Sequence, residues 1–516
     1  MNNQSLLTID CGTQSLRASL FSGTGHMLAC VKKDYAPYFS LQPGWAEQDP
    51  ELYWQSLVQA CHTLREQNPS AFDAIAGVGV ASQRASMINV DENGIPLRPC
   101  IVWLDRRRAQ PVFGRKGVLN PIFRILGLKK TINDLQAQSK CNWIMQNEPE
   151  IWKKTAKYLQ VPGFLNYRLT GEFHDSVASQ IGFIPFDYKK QKWANDFQFP
   201  KKLCPVERDK LPKLLKPGEL LGSITTKASL ACGIKKGTPV VSCGSDKGCE
   251  TLGAGVLHAG MVNLSLGTDA TIQTVSDRYL EVIRFIPAYP AVIPGRYNPE
   301  LAIHRGFWMI SWFKKQFALK EIGEAERLGV AVEEILDRCL KKTPPGAMGL
   351  VMQPYWGDVT GKTDVKGLMI GFGDIHTRDH IYRALIEGLG FGLYEGLEKI
   401  EKKTGVKIEK ASLSGGASQS DEICQIMANI FNRPMINGQT HETSSLGAAI
   451  LTASGLNWYR SIEEAAEKMV HVKHIFEPEP DAVKIYKALY SEVYSKLYQT
   501  LKPLYSKLRD ISGYPE

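Results

Sequence analysis

The chain contains 516 residues, of which 43% are hydrophobic and 22% are charged, and its formal net charge is +9. A chain of this length buries roughly three quarters of its surface on folding, which excludes a disordered or fibrous protein and predicts two or three domains. Apolar runs are too short to span a membrane and the N-terminus has no leader-like region, so we expect neither a membrane span nor a signal peptide. The eleven cysteines form no CxxC pair, which is typical of reduced thiols in the cytoplasm.

Part of the positive charge is concentrated between residues 106 and 130, where the sequence has eight basic side chains and no acidic one. Such a segment forms either an ordinary solvated surface or an electrostatic field that attracts an anionic substrate or nucleotide. We do not expect nucleic acid as a partner, because the sequence has no helix-turn-helix, zinc-finger or RNP pattern.

Strands alternate with helices in the first half of the chain, which predicts an α/β architecture. Alternating polarity and turn residues indicate the strands, and Pro50 in a first helical turn indicates where the first helix begins. The predicted elements, in chain order, are strands at 6–9 and 16–21 around a turn at 10–13, a turn at 23–26, a helix at 50–66, a strand at 75–80, a hairpin turn at 91–94, a strand at 101–103, and a helical region from 107 to 172.

The second half repeats the strand–turn–strand pattern of the N-terminus around a second Gly-Thr turn. This repetition indicates either two similar domains or a chance similarity between two hairpins. The predicted elements are a strand at 238–245 that carries Asp246 into a glycine-flanked loop, strands at 261–266 and 271–275, a strand at 411–414 leading to Gly415, a helix up to about 432, and a final amphipathic helix with tyrosines every four residues from Tyr486 to Tyr498. We expect those tyrosines to pack against a domain.

Several turns carry the groups that phosphoryl transfer requires: hydrogen-bond donors for phosphates, a carboxylate for a metal, and a base for the alcohol proton. The turn at 10–15 (DCGTQS) offers a carboxylate, a glycine and two hydroxyls. Each turn alone is equally explained by ordinary turn chemistry, since Asp, Gly, Thr and Ser all favour turns. Their occurrence in one chain in a consistent order favours the functional interpretation.

This ordered set resembles the FGGY carbohydrate kinases, a family with the actin-like, hexokinase-like ATPase fold. The resemblance extends from Leu6 to about Tyr505. Its motifs, in chain order, are 9–17 (IDCGTQSLR), 44–50 (GWAEQDP), 77–83 (GVGVASQ), 98–107 (RPCIVWLDRR), 140–147 (KCNWIMQN), 169–172 (LTGE), 267–268 (GT), 367–388, 414–417 (SGGA) and 442–449 (ETSSLGAA).

The resemblance implies an α/β protein of two ribonuclease-H-like domains, at 1–254 and 255–516, that flank a catalytic cleft. It implies ATP-dependent phosphorylation of a hydroxyl on a ketose, such as a pentulose, or on a related polyol, with ATP and Mg²⁺ as cofactors. A cytoplasmic location and a homodimer are also typical of the family. The alternative is a sugar- or nucleotide-binding sensor that has lost catalysis on the same fold.

The family's functional residues match positions in this sequence, and each role below is implied by the resemblance. Asp246 matches the catalytic base and also contacts the sugar, and Asp10 matches the carboxylate near Mg²⁺. The positions that match phosphate- and nucleotide-binding residues are Gly12, Thr13, Gln14, Ser15, Arg17, Gly267, Thr268, Gly415, Gly416 and Ser418. The positions that match the sugar pocket are Gln83, Arg84, Trp103 and Asp105.

The sequence departs from the family pattern at four places. Gly163 stands where an aspartate is common, and Asp269 follows Thr268 where a serine is common. In the stretch 354–360 (PYWGDVT), which contains Gly357-Asp358, the Glu-Arg of the family's PYxxGER motif is absent or displaced. Ala85 follows Arg84 where the glycerol-kinase version of the sugar site continues with glutamate. Loss of a hydroxyl-binding carboxylate argues against glycerol as the substrate.

Overall fold

The computed structural model describes residues 4–112, 128–356, 359, 362 and 365–513. The chain forms two compact units, each assembled from separate segments. Unit 1 comprises Met1–Gly253, Tyr289–Tyr297 and Ser444–Val470, and unit 2 comprises Ala254–Ala288, Asn298–Thr443 and His471–Glu516. Among the described helices, none is long and apolar enough to cross a membrane.

The strands, numbered in chain order, are β1 Ser5–Cys11, β2 Ser15–Ser22, β3 Met27–Asp34, β4 Glu47–Gln48, β5 Ile75–Ser82, β6 Met87–Val90, β7 Cys100–Ile101, β8 Lys157–Gln160, β9 His174–Ser176, β10 Phe186–Asp187, β11 Lys192–Trp193, β12 Lys213–Leu215, β13 Leu220–Ser223, β14 Pro239–Ser245, β15 Met261–Leu266, β16 Ala270–Gln273, β17 Tyr289–Pro290, β18 Tyr297–Asn298, β19 Glu300–Ile303, β20 Val351–Gln353, β21 Leu368–Ile370, β22 Lys410–Ser414, β23 Met435–Gly438 and β24 Val472–Phe476.

The α-helices of the described residues are α1 Pro50–Gln67, α2 Pro69–Asp73, α3 Lys129–Ala137, α4 Lys140–Asn147, α5 Pro149–Lys154, α6 Val161–Thr170, α7 Phe199–Leu203, α8 Thr226–Cys232, α9 Asp246–Gly253, α10 Trp308–Phe317, α11 Leu319–Leu328, α12 Val332–Lys342, α13 Arg378–Thr404, α14 Asp421–Phe431, α15 Thr443–Gly455, α16 Ile462–Met469, α17 Pro480–Ala488 and α18 Ser495–Ser512. A π-helix, Leu489–Tyr494, joins α17 to α18.

Each unit is built on a six-stranded sheet, and the two sheets have the same topology. In unit 1 the order is β13-β14-β5-β1-β2-β3, with β14, β5 and β1 parallel and β1, β2 and β3 antiparallel. In unit 2 the order is β24-β23-β22-β15-β16-β19, with β23, β22 and β15 parallel and the other neighbours antiparallel. The two hairpins of the sequence therefore occupy equivalent places, which confirms two similar units rather than a chance resemblance.

Buried aliphatic side chains on the central strands hold each sheet against its helices. In unit 1, Leu7, Ile9 and Val78 are fully buried in the same cluster as Leu57 of α1 and Phe164 of α6. α1 begins where Pro50 predicts it, with Asp49 as its N-cap: the Asp49 side chain accepts a hydrogen bond from the N–H of Glu51. These cores fix the strand ends, where the candidate site residues lie.

The region predicted to be helical from 107 to 172 contains α3 to α6 but also a strand, β8, which corrects that prediction. β8 pairs with β6, and Leu159 lies opposite Ile88. Because Tyr158 and Leu159 are both buried, the pattern has no alternation that would have indicated a strand. Residues 113–127 of this region lie outside the described residues.

The C-terminal tyrosines pack as predicted. Tyr486, Tyr490, Tyr494 and Tyr498 are all buried, and the helix that carries them is continuous from Pro480 to Ser512 through the π-helix. Tyr486 lies against α13, where its hydroxyl donates to Glu387 at 2.7 Å. The helix is therefore part of the core of unit 2.

Candidate active site

Three adjacent parallel strands of unit 1 end at one edge of the sheet, and a predicted site residue follows each of them. β1 leads to Gly12 and Thr13, β5 leads to Gln83 and Arg84, and β14 leads to Asp246. The carboxyl ends of parallel strands are where open α/β sheets bind ligands. The topology thus brings together residues that are far apart in the sequence.

In the turn between β1 and β2, the carbonyl groups accept hydrogen bonds within the protein, so the backbone groups that the turn leaves for a ligand are its N–H groups. The Gly12 carbonyl accepts from the Tyr35 hydroxyl at 2.6 Å, and the Thr13 carbonyl accepts from the Gln48 amide at 2.9 Å. Within the described part of the chain, the N–H groups of Thr13 and Gln14 have no acceptor. A turn that exposes successive N–H groups is an anion-binding arrangement, which fits the phosphates of ATP.

Thr13 connects this turn to two residues of the predicted sugar pocket. Its hydroxyl donates to Gln83 Oε1 at 3.1 Å and accepts from Trp103 Nε1 at 2.8 Å. On the other side of the turn, Arg17 donates to the Ser15 hydroxyl at 3.2 Å. The structure therefore places the first phosphate turn and the sugar-pocket residues in one hydrogen-bonded group.

Asp10 is the last-but-one residue of β1 and is 9% exposed, directly opposite Arg17 on β2. Among the residues that the structure describes, no three histidine, cysteine, aspartate or glutamate side chains are grouped to hold a metal ion. Mg²⁺ does not require such a group, since it commonly binds one or two carboxylates together with water and substrate phosphates. A single carboxylate beside an anion-binding turn fits an ion that arrives with ATP.

Asp246 is the first residue of α9 rather than part of a glycine-flanked loop, which corrects the sequence prediction. Its side chain is 30% exposed, and its Oδ1 lies 3.9 Å from Arg84 Nε. The N–H of Lys247 donates to the same oxygen at 2.7 Å. Desolvation raises the pKa of Asp246 above its ordinary value, and the positive charges of Arg84 and Lys247 oppose that rise. Asp246 is therefore an accessible carboxylate with elevated basicity.

Tyr289 is a site residue that sequence reasoning missed. The Arg84 guanidinium lies over the Tyr289 ring, 5.3 Å from its centroid, and the ring of Tyr188 meets Tyr289 edge-on at 5.9 Å. This packing restrains Arg84 beside Asp246. Tyr289 comes from the short segment that joins unit 1 from the second half of the chain, and no local pattern in the sequence indicates that return.

The Asp105 carboxylate, which the resemblance matches to the sugar pocket, is buried and bound by other groups of the protein. Its side chain is 1% exposed, and its oxygens accept from Arg107 at 2.8 to 2.9 Å and from the N–H of Ala46 at 2.7 Å. Arg107 also pairs with Glu47 at 2.9 Å and lies over the ring of Trp45. Because Arg107 occupies both of its oxygens, Asp105 has a structural role.

The turn Gly267-Thr268, which the resemblance predicts as a second phosphate loop, has carbonyl groups that are occupied within unit 2, like those of the turn between β1 and β2 in unit 1. The Gly267 carbonyl accepts from the N–H of Phe307 at 3.1 Å, and the Thr268 carbonyl accepts from the N–H of Trp308 at 3.4 Å. Thr268 is exposed. Asp269, one of the departures from the family pattern, accepts from the N–H of Arg305 at 2.9 Å. Its carboxylate therefore holds the loop against the segment that precedes α10.

The loop that the resemblance predicts to bind the nucleotide begins at Gly415, where β22 ends beside β15. Gly415 has a φ of 83°, and a Cβ there would lie 2.8 Å from the carbonyl carbon of Leu266 and 2.9 Å from the nitrogen of Gly267. Around Gly416, by contrast, a Cβ would meet nothing within 4 Å among the described residues. Ser418 is 1% exposed and donates to the Gly415 carbonyl at 2.7 Å, so it supports the loop from within.

The contact between Gly415 and Gly267 makes a direct prediction for nucleotide binding. We expect Gly415→Ala to weaken Mg-ATP binding by at least about 10-fold, because the added methyl group forces the two loops apart and the residue keeps an unfavourable backbone angle. Gly405→Ala is the matched control, since Gly405 has a similar φ of 71° with nothing within 4 Å. Calorimetric titration with Mg-ATP measures both, and equal affinities would contradict the prediction.

The departure at Gly163 has a structural explanation. A Cβ at Gly163 would lie 3.0 Å from Asp175 Oδ2, so the glycine makes room for that buried carboxylate, whose pKa desolvation raises to about 7. Ala85 has a φ of 56° and packs against Gly182. Gly357 and Asp358 lie outside the described residues, as do Arg115, Lys116 and Arg124 of the basic segment. The prediction of an electrostatic field there stays untested.

Comparisons with known proteins agree with this architecture. The family model of the FGGY carbohydrate kinases matches residues 5–253 with its N-terminal domain and residues 262–456 with its C-terminal domain. The chain is 27% identical over 525 aligned positions to the xylulose kinase of Staphylococcus epidermidis, covering 99% of this chain and 100% of the relative. It is 26% identical over 512 positions to the gluconokinase of Bacillus subtilis, covering 98% of each.

Among solved structures, a ligand-bound xylulose kinase from Lactobacillus acidophilus has the same fold, with a TM-score of 0.80 and 21% identity over 98% of this chain and 99% of that chain. Both halves of the chain thus match the family in order and nearly from end to end. The chain belongs to the FGGY family of carbohydrate kinases and is an ATP- and Mg²⁺-dependent phosphotransferase that acts on an alcohol group of a sugar or polyol.

Proposed function

We propose that this kinase phosphorylates a hydroxyl group of a neutral ketose, a pentulose such as xylulose, with Asp246 as the general base. The observation that supports this most strongly is the pairing of Asp246 with Arg84, 3.9 Å apart, at the strand edge that also carries the Thr13 turn. A neutral alcohol is a poor nucleophile until a base accepts its proton. Asp246 is the accessible carboxylate with raised pKa at this edge.

In the proposed reaction, Asp246 accepts the proton of the sugar hydroxyl as that oxygen bonds to the γ-phosphorus and the bond to ADP breaks. Mg-ATP supplies the phosphoryl group, and its metal ion neutralises the charge that develops. Arg84 orients the carboxylate, while the Thr13 and Gln14 N–H groups donate to phosphate oxygens. Asp10 holds the metal ion in this scheme.

The remaining site assignments are part of the same proposal. Gln83, Arg84 and Trp103 line the sugar pocket. The hydrogen bonds of Gln83 and Trp103 to Thr13 support this assignment, as does the 3.9 Å ion pair of Arg84 with Asp246. The positions that bind phosphates and nucleotide are Gly12, Thr13, Gln14, Ser15, Arg17, Gly267, Thr268, Gly415 and Gly416, with Ser418 supporting the loop. We propose that Asp105 supports the site structurally and does not contact the sugar, because Arg107 and the Ala46 N–H bind its carboxylate.

Charge favours a neutral ketose over an aldonate in this pocket. The Arg84 guanidinium already faces the Asp246 carboxylate, so it is not available as an unpaired cation for a substrate carboxylate. A second carboxylate beside Asp246 would add like-charge repulsion. Glycerol is disfavoured because Ala85 offers no hydroxyl-binding carboxylate. Among the relatives reported above, a xylulose kinase fits this expectation better than a gluconokinase.

A coupled ADP-release assay tests the substrate class. With Mg-ATP, we expect kcat/KM for D-xylulose or another pentulose to exceed that for gluconate and glycerol by at least about 10-fold, a difference of about 1.4 kcal/mol in transition-state binding. Hexuloses, pentitols and tetritols complete the panel. A preference for gluconate or glycerol would overturn the proposed substrate class while leaving the kinase activity intact.

Three further proposals concern the domain boundary, the location in the cell and the oligomeric state. We propose that the two family domains divide at residue 254/255, between the last parallel strand of one sheet and the first strand of the other. We propose a cytoplasmic location, in which all eleven cysteines, which are free in the structure, stay reduced. A homodimer, which is typical of the family, stays a proposal that measurement of mass in solution tests.

A further inference from the structure

An exposed arginine, Arg305, lies beside the second phosphate loop of unit 2 and has no role in the site described so far. Its φ of 62° is in the left-handed region, which is unfavourable for side chains other than glycine and which folded proteins retain where the surroundings impose it. Its N–H donates to Asp269 Oδ1 at 2.9 Å. Because Asp269 directly follows Thr268, this bond ties Arg305 to the loop.

The neighbours of Arg305 fix the same segment. The His304 ring lies 3.2 Å from the other oxygen of Asp269. A Cβ at Gly306 would lie 2.4 Å from the nitrogen of Ala270, so the two backbones are in close contact. Phe307 donates its N–H to the Gly267 carbonyl at 3.1 Å. Residues 304–307 and the phosphate loop therefore form one packed element, in which the position of Arg305 is determined.

The guanidinium of Arg305 is restrained, but among the described residues it has no anionic partner. It lies over the Trp308 ring, 5.0 Å from the ring centroid. In the part of the chain that the structure describes, it makes neither an ion pair nor a side-chain hydrogen bond. Arg107 and Arg383, by contrast, are paired with carboxylates. A guanidinium that stacks on an aromatic ring keeps its hydrogen-bond donors free for a phosphate or carboxylate group.

We propose that Arg305 binds the polyphosphate chain of the nucleotide and supplies the positive charge that the loop of Gly267 and Thr268 lacks. The loop itself offers N–H groups and the exposed Thr268 hydroxyl, which are neutral donors. A charge-assisted hydrogen bond is roughly twice as strong as a neutral one. This inference rests on the proposed assignment of Gly267 and Thr268 to the nucleotide site.

Calorimetric titration of the intact protein, without sugar, tests this role. We expect Arg305→Ala to bind Mg-ATP and Mg-ADP about 10- to 100-fold more weakly than the unaltered protein, in keeping with the loss of a hydrogen bond to a charged group. We expect its affinity for AMP to change by less than about 2-fold. The dependence of Mg-ATP affinity on salt concentration should also become shallower, because one cation has been removed.

Two further variants separate binding from folding and from general charge. Asparagine adopts the left-handed backbone conformation more readily than alanine does. If Arg305→Asn also binds Mg-ATP more weakly than the unaltered protein, backbone strain does not explain the loss. Arg284→Ala is the matched control: Arg284 is also exposed in unit 2 and also lies over an aromatic ring, Phe285, at 4.7 Å. We expect Arg284→Ala to bind all three nucleotides like the unaltered protein.

The outcomes are distinct. Unchanged Mg-ATP affinity in Arg305→Ala overturns the inference, and so does an equal loss for ATP, ADP and AMP, because neither matches a contact to the polyphosphate chain. If the unaltered protein binds Mg-ATP but turns over none of the sugars tested, the proposed substrate class fails while the role of Arg305 is still decided by the titrations. If it binds no nucleotide, the proposed nucleotide site itself fails.

Discussion

Asp246→Asn is expected to lower kcat for sugar phosphorylation by about 10²- to 10⁴-fold, the usual contribution of a general base, while Mg-ATP still binds. Asparagine preserves the size of the side chain and can still accept from the N–H of Lys247, but it cannot take the proton of the sugar hydroxyl. Steady-state assays with a saturating sugar and titration with Mg-ATP measure the two quantities separately.

The matched control for this substitution is Asp196→Asn, which removes a carboxylate of the same unit whose side chain is 86% exposed. We expect kcat of that variant to equal that of the unaltered enzyme. If Asp246→Asn retains activity within a few-fold of the unaltered enzyme, another group takes the proton and the proposed mechanism is wrong.

The pH profile gives an independent test of the same residue. Because desolvation raises the pKa of Asp246, its carboxylate is ionised and active above that pKa, so kcat/KM should rise with pH as the group loses its proton. Arg84 favours the ionised form, and Arg84→Met should therefore raise the pKa of Asp246 and move this acidic limb to higher pH. If the acidic limb of the kcat/KM profile lies at the same pH in Arg84→Met as in the unaltered enzyme, Arg84 does not act on the pKa of Asp246.

Arg383→Met is expected to destabilise unit 2 by about 3 to 5 kcal/mol, the usual cost of leaving one partner of a buried ion pair without the other. The Arg383 guanidinium pairs with Glu387 at 2.7 Å and donates to two carbonyls, that of Leu340 in the last turn of α12 at 2.8 Å and that of Thr343 just after α12 at 2.6 Å. The hydroxyl of Tyr486 contacts both charged groups. Removing Arg383 leaves the Glu387 carboxylate buried without a cation.

Chemical denaturation followed by circular dichroism measures this loss as a change in the free energy of unfolding. Arg338→Met is the control, because Arg338 is 53% exposed and lies 3.9 Å from Glu324, a surface pair worth about 0 to 1 kcal/mol. The double variant Arg383→Met with Glu387→Met should be more stable than Arg383→Met alone, since no buried charge is left unpaired. A double variant less stable than the single one would contradict this explanation.

The sequence predicted the strands and helix boundaries that depend on local residue patterns. It did not predict the contacts that form where distant segments of the chain meet. The strands around the two Gly-Thr turns and the start of α1 follow from alternation and capping, and the structure confirms them. The burial of the Asp105 carboxylate could not be foreseen, because the motif does not show that Arg107 and the Ala46 N–H bind it. Tyr289 was missed for a related reason: it reaches Arg84 only through tertiary packing.

Unit 1 is assembled from segments that are far apart in the sequence, and this affects how it folds while the chain is being synthesised. Its last segment, Ser444–Val470, packs against parts of the chain that are translated much earlier: Thr452 and Leu456 lie next to Gly77 of β5, and Gly447 touches Cys249 of α9. At about 5 to 20 residues per second, the ribosome completes that segment roughly 10 to 40 s after residue 253 has been added. During that interval the nascent first sheet has α1 and α6 but still lacks α15 and α16, so the surface that these two helices cover is exposed to chaperones and to aggregation until nearly the whole chain has been made.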